Sequence, residues 1–255
     1  ITITGNATDA DNDMLTFEWT ETTDYGIQFS NSNEINTTAS ISSFPEGIAV
    51  LEATISLKAS DGQDSSFASM TVRFYNTDFF FVSINGTGDG LSPGNPYGGT
   101  INNAIAEAAF NLKTGVAISE ATYNVLYAES GGTHITMREG ISLYGGYSQD
   151  TWLRDITLYK TVIKDTSDNI GSNYNPSRTI DVNDGVTYAT KIDGFTIISG
   201  TESSADDSYS TAIFCSKGTG SAAAITIQNN TIKTQNQNRT TTRGILLWNG
   251  SAIIR

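Results

Sequence analysis

The chain has 255 residues, with 27 acidic side chains against 14 basic ones and a formal net charge of −13. That charge repels phosphate backbones and anionic lipid surfaces, which removes nucleic acid and membrane surfaces from the expected partners. Hydrophobic residues make up 38% of the chain, enough for a packed core, yet no apolar run approaches the roughly 18–20 residues of a membrane-crossing helix.

The chain opens inside a strand-like stretch, "ITITG", and stops inside another, "SAIIR". These ends read as those of a piece of something longer, with the repeats described below continuing past Arg255. From residue 1 to about residue 77, apolar and polar residues alternate at period two, most clearly in "LTFEW" (15–19), "ATISLKAS" (53–60) and "ASMTVRFY" (68–75). Short alternating runs bounded by Asp, Gly, Asn and Ser predict an antiparallel β-sandwich over 1–77 with one face of each sheet buried.

Within that region Asp9, Asp11 and Asp13 place three carboxylates in five residues. They repel one another without a counter-ion, and a hard cation such as Ca²⁺ prefers such oxygens. The spacing is not that of an EF-hand, because Met14 and Thr20 stand where Gly and Glu are needed. The competing reading is a solvated turn rich in Asp and Asn. The stretches "ATDADNDMLTFEWT" and "KASDGQDSSFASMTVRF" resemble cadherin-like and polycystic-kidney-disease-type immunoglobulin-like modules. The resemblance implies that Asp61, in the later "SDG" turn, approaches the first acidic loop and joins Asp9, Asp11 and Asp13 in a Ca²⁺ site.

The composition changes near residue 77. "FFFVSI" runs into the glycine-rich loop "NGTGDG" (85–90). It is no nucleotide fingerprint, because the next helix starts some ten residues later and no Gly-Lys-Ser/Thr follows. The loop reads as a connector. Thr100 is placed to N-cap a helix over about 101–113, whose apolar stripe is Ile101, Ala104, Ile105, Ala108, Ala109 and Leu112, with Gly115 ending it. "FVSINGTGDGLSPGNPYGGTINNAIAEA", followed by "GISLYGGYS" (140–148), resembles the opening of secreted right-handed parallel β-helix proteins of the pectate-lyase-like type. The resemblance implies that this helix caps the first coil of such a solenoid over 78–255.

A nine-residue phrase then recurs. "SRTIDVNDG" (177–185), "STAIFCSKG" (210–218) and "TRGILLWNG" (242–250) all carry isoleucine fourth and glycine ninth. A second element accompanies it, "IDGFTI" (192–197) and "IQNNTI" (227–232), with "IIR" (253–255) opening a further copy. A strand this short cannot bury an apolar face alone, so copies must stack about 4.8 Å apart. Stacking predicts inward ladders of Ile180, Ile213 and Ile245 and of Val182, Cys215 and Leu247, with Thr196 on Thr231. Asp181, Phe214 and Leu246 are expected to point outward. The fold class is therefore all-β: an immunoglobulin-like sandwich followed by a right-handed parallel β-helix with an N-terminal capping helix.

The reactive residues are few. Cys215 excludes an internal disulfide and reads as a small apolar residue; the single histidine, His134, lies far from it in sequence. Asp165, Asp168, Asp181, Asp184 and Asp193, with Arg178 and Lys191, fall in or beside the early coils, but position 181 becomes Phe214 and Leu246, so no acidic ladder forms. Phe214, Trp248, Tyr144, Tyr147 and Trp152 are candidates for an outward sugar-stacking surface. Glycosylation sequons occur at Asn6, Asn36, Asn85, Asn229, Asn238 and Asn249. The leading expectation is a non-enzymatic structural or adhesive segment of a large extracellular or cell-surface protein. Its partners would be other domains or copies of the same protein, and glycans. The alternatives are a polysaccharide lyase or hydrolase fragment, and a carbohydrate-binding module.

Overall fold

The computed structural model describes residues 1–126, 132–167, 177–200, 210–217, 220, 223–235 and 242–255. Among the described residues strands make up 48% and helix 5%, which makes the protein all-β. It divides into two compact units, Ile1–Asn76 and Thr77–Arg255.

The first unit has six strands: β1 (Thr2–Thr4), β2 (Thr16–Glu21), β3 (Gln28–Phe29), β4 (Asn36–Ser40), β5 (Val50–Ser60) and β6 (Ser65–Tyr75). They form two antiparallel three-stranded sheets, ordered β1-β4-β3 and β2-β5-β6. Period-two alternation puts Ala53, Ile55 and Leu57 of β5 and Val72 and Phe74 of β6 into one core with Ile3, Trp19, Ile27 and Ala39. The indole Nε1–H of Trp19 donates to the Glu34 carbonyl at 3.0 Å, so its one polar atom is satisfied as its rings are buried.

The second unit begins with β7 (Phe79–Val82) and α1 (Ile101–Phe110). There follow β8 (Gly115–Ser119), β9 (Ala121–Val125), β10 (Ile135–Thr136), β11 (Ser142–Tyr147), β12 (Thr161–Asp165) and β13 (Ser177–Val182). The last seven strands are β14 (Lys191–Asp193), β15 (Phe195–Ile198), β16 (Ser210–Ser216), β17 (Ala224–Gln228), β18 (Thr231–Lys233), β19 (Thr242–Trp248) and β20 (Ser251–Ile254). From β8 onward the chain visits three parallel sheets in rotation. Their orders are β20-β17-β14-β11-β8-β7, β18-β15-β12-β9 and β10-β13-β16-β19.

The repeated phrase is the third sheet. Ile180 pairs with Ile213 and Ile213 with Ile245, and the next inward row runs Val182, Cys215, Leu247. Ile192 pairs with Ile227, and Thr196 with Thr231. Ile180 and Ile213 are fully enclosed, whereas Leu247 in the final row is 44% exposed. Asp181, Phe214 and Leu246 also stack in register, but Asp181 and Phe214 are buried rather than displayed. The Arg178 guanidinium lies over the Phe214 ring at 4.3 Å and donates to Asp181 at 2.7 Å, covering both.

Helix α1 starts as expected, with the Asn103 N–H donating to Thr100 Oγ1 at 3.2 Å. It ends earlier than the apolar stripe suggests. Asn111 is its C-cap, and Leu112 adopts the left-handed conformation with φ 55° and lies 88% exposed. Gly115 does not end the helix; it opens β8, where a Cβ would meet the Phe79 ring at 2.8 Å. The buried stripe is therefore Ile101, Ala104, Ile105 and Ala108, packed with Phe80, Val82 and Val116.

Two of the three sheet edges at this end are covered by the chain itself. The free edge of β7 is covered by the loop that follows it: the Phe81 N–H donates to Gly90 O, Tyr97 N–H to Phe81 O and Ser83 N–H to Tyr97 O, all at 2.8–3.0 Å. The glycine-rich loop is thus an edge cover rather than a mere connector. A Cβ on Gly86 would collide with Pro96, and one on Gly98 with Gly86. The edge of β10 is covered by one side chain of α1. Asn102 Oδ1 accepts from the Thr136 N–H at 2.8 Å, and its amide donates to the His134 carbonyl. Asn102 thereby imitates a strand.

Candidate functional site

The acidic residues of the coils are tied into the scaffold. Asp193, at the end of β14, is 3% exposed and holds three partners from two other circuits. Arg154 Nη2 lies 3.0 Å from its Oδ1, Asn229 donates to Oδ1 at 2.9 Å, and Gln228 donates to Oδ2 at 3.0 Å. Arg154 is wedged between aromatic faces, 5.4 Å from the Tyr144 centroid and 5.7 Å from that of Tyr147, and its Nε–H donates to Gly145 O at 2.9 Å. Asp184 Oδ2 accepts from the Gly220 N–H at 2.8 Å. Asp165 is enclosed, receiving the Ser167 N–H at 2.8 Å and the Ser167 hydroxyl. Asp168 and Asn238 lie outside the described residues. Lys191 sits in β14, in register with Thr226.

One charged constellation forms nonetheless. His134, just before β10, is partly buried and is influenced electrostatically by Asp181, Arg178 and Asp165. Burial lowers its pKa; Asp181 and Asp165 pull it upward and Arg178 downward, and burial prevails. A histidine beside two aspartates resembles an acid–base set. Yet Asp165 and Asp181 are 1% and 5% exposed, so a polymer substrate has no route to them. Cys215 is fully buried, and enclosure raises its thiol pKa, which leaves it unreactive.

The expected sugar-stacking surface does not form. Tyr144, Tyr147, Trp152 and Phe214 are all nearly or fully buried, and of the five candidates only Trp248, at 56%, is open to solvent. The "YGGYSQDTW" aromatics lie on the opposite face of the sheet from the core residues Phe80 and Leu143, and are buried there by packing against β7: Tyr144 stands 5.4 Å from Phe79, and Trp152 meets Phe81 edge-on at 5.2 Å.

In the first unit, Asp9 and Asp61 line one shallow depression of about 190 Å³, joined by Asp64; Asp11 and Asp13 are not part of its lining. Asp9 Oδ1 accepts the N–H groups of Asp11 and Asp13 at 2.9 Å each, so this carboxylate organises its own loop. Asp61 Oδ1 accepts the N–H groups of Asp64 at 2.7 Å and Gln63 at 2.8 Å, which hold its pKa below the ordinary carboxylate value. Among the described residues no three His, Cys, Asp or Glu side chains converge as a metal cage. Asp9 Oδ1 and Asp61 Oδ1 are each engaged by two backbone N–H groups, whereas tight Ca²⁺ binding takes roughly six to eight converging oxygens.

A larger cleft, about 410 Å³, opens beside β9 in the second unit. Gly98, Gly99, Thr100 and Ile101 line one side and Thr122–Val125 the other. The residue pattern gave no signal for it, because it arises from where the capping segment stops rather than from any motif. Arg154 was likewise missed: its partner Asp193 lies 39 residues further on, a distance no local spacing rule reaches.

No family model, curated protein or solved structure matches the chain.

Proposed function

We propose that the chain is a structural and adhesive segment of an extracellular surface protein, an immunoglobulin-like module followed by a right-handed parallel β-helix capped by α1. One observation carries this reading: the candidate catalytic carboxylates serve the scaffold. Asp193 joins three successive circuits, Asp184 fixes a loop amide, and Asp181 pairs with Arg178. A stack of short parallel strands is a stiff rod with a repeating outer face, suited to other domains, further copies or extended glycans. The neighbourhood of Asp9, Asp61 and Asp64 suits at most a weakly held Ca²⁺.

Screening the purified chain against neutral and acidic polysaccharides tests the reading. Binding without release of reducing or unsaturated ends supports it. Turnover abolished by Asp181→Asn would replace it with the hydrolase or lyase reading. Ca²⁺ is tested separately: a ligand that binds only the folded state raises the melting temperature. The rise should be small and should vanish in Asp61→Asn.

A further inference from the structure

We propose that the cleft beside β9 receives one extended, uncharged polypeptide segment, which adds to the second sheet as a strand. The proposal goes beyond the structural reading and does not depend on a glycan partner.

Three strands, β7, β9 and β10, open the sheets at the α1 end. Backbone polar groups on a sheet edge need partners. The β7 edge is paired by the segment running through Gly90 and Tyr97, and the β10 edge by the Asn102 side chain. Strand β9 pairs with β12 on one side only. On its other edge, among the described residues, nothing accepts from or donates to the backbone of Thr122 and Asn124; just past the strand the edge is closed, Leu126 N–H donating to Thr133 Oγ1 at 2.8 Å and its carbonyl accepting from the Thr133 and His134 N–H groups at 2.7 and 3.1 Å. The cleft of about 410 Å³ lies at this edge, walled opposite by Gly98, Gly99, Thr100 and Ile101. The missing strand therefore has a bounded slot rather than an open flank.

The walls state what fits. The lining residues are Ile84, Gly98–Ile101, Thr122–Val125 and Thr133, with no ionisable acid or base apart from the Tyr123 phenol. That phenol is committed to Ser119 at 3.2 Å, and its pKa is raised by burial. A charged segment would lose its hydration there without a counter-charge, and an acidic one would also meet the field of a chain with net charge −13. Main-chain hydrogen bonds to β9 would supply affinity, with small β-branched side chains alternating between the Thr122/Asn124 face and the Tyr123/Val125 face. A neutral sugar could fill the volume but would not satisfy a row of alternating amides and carbonyls.

The test is amide hydrogen exchange on the full ¹⁵N-labelled chain with the synthetic peptide acetyl-TTVTIT-amide. Edge amides of β9 should exchange freely in the unliganded chain and slow at least tenfold at saturating peptide. The same peptide with two glutamates in place of threonines should leave them unchanged. Thr122→Lys with Asn124→Lys places charges on exposed side chains of the edge; it should weaken binding at least tenfold with an unaltered melting temperature. Three results would overturn the proposal. They are β9 amides already as protected as those of β12 in the free chain, peptide protection appearing at the β6 edge instead, and protection of β9 by cellohexaose but not by the peptide.

Discussion

Arg154 and Asp193 form the most enclosed ion pair among the described residues, their side chains 10% and 4% exposed and their charged atoms 3.0 Å apart. They belong to successive circuits, and Asn229 and Gln228 of the next circuit close on the same carboxylate. A buried pair is not in itself a gain over apolar packing, but removing one partner strands the other. Asp193→Ala should therefore lower the stability of the second unit by about 3 kcal/mol. Urea unfolding followed through Trp152 checks this. A cycle with Arg154→Met should show a coupling of at least about 1 kcal/mol.

The isoleucine ladder should weaken in a graded way. Ile213 is enclosed between Ile180 and Ile245, so Ile213→Ala should cost about 3–4 kcal/mol through lost burial and the cavity left behind. Ile245, only partly buried, can relax around the change, and Ile245→Ala should cost about half as much. Equal losses in chemical denaturation would show that the stacked rows do not share one core.

The isoleucine ladder was legible because stacking forces chemically similar residues to recur at the circuit length, and Ile180, Ile213 and Ile245 recur 33 and 32 residues apart. The start of α1 was legible because a cap is a local device. Its end was not, because Gly115 is required by the Phe79 ring, a contact from another strand. The burial of Tyr144 and Trp152 was missed for a related reason. Alternation says which residues share a face, whereas Tyr144 and Trp152 are buried by Phe79 and Phe81, some 60–70 residues earlier in the chain. The grouping of Asp9 with Asp61 could be anticipated only through resemblance, and the cleft beside β9 not at all.

The cover on β7 should depend on its glycines. A Cβ at Gly98 would collide with the Gly86 backbone, and Gly90 holds a φ of 75° against the Phe80 ring. Gly98→Ala should push residues 86–98 off the strand edge, leaving Phe81 and Ser83 without their partners Gly90 and Tyr97. Amide exchange at Phe81 and Ser83 should quicken by at least tenfold, while amides in β16 keep their native protection. Unchanged exchange at Phe81 would mean that the loop is not what shields the edge.

The single histidine supplies a pH signature that can be assigned without ambiguity. Burial holds the His134 pKa below its ordinary 6.5, against the upward pull of Asp181 and Asp165 and with the assistance of Arg178. Below 6.5 the unfolded chain binds a proton that the folded chain resists, so stability falls as pH drops from 6.5 towards the folded-state pKa. Above that window both states are neutral at this position and stability does not change through it. Glu139, though partial burial opposes its ionisation, is held below its ordinary 4.5 by hydrogen bonds from Thr187 and Thr190, so its contribution is lost only at more acidic pH. Urea midpoints measured from pH 7.5 down to 5.5 should therefore decline in the native chain and stay level in His134→Gln, with both chains losing stability together below about pH 4.5. A decline that persists in His134→Gln would assign the mid-range titration to a carboxylate and remove the histidine from the account.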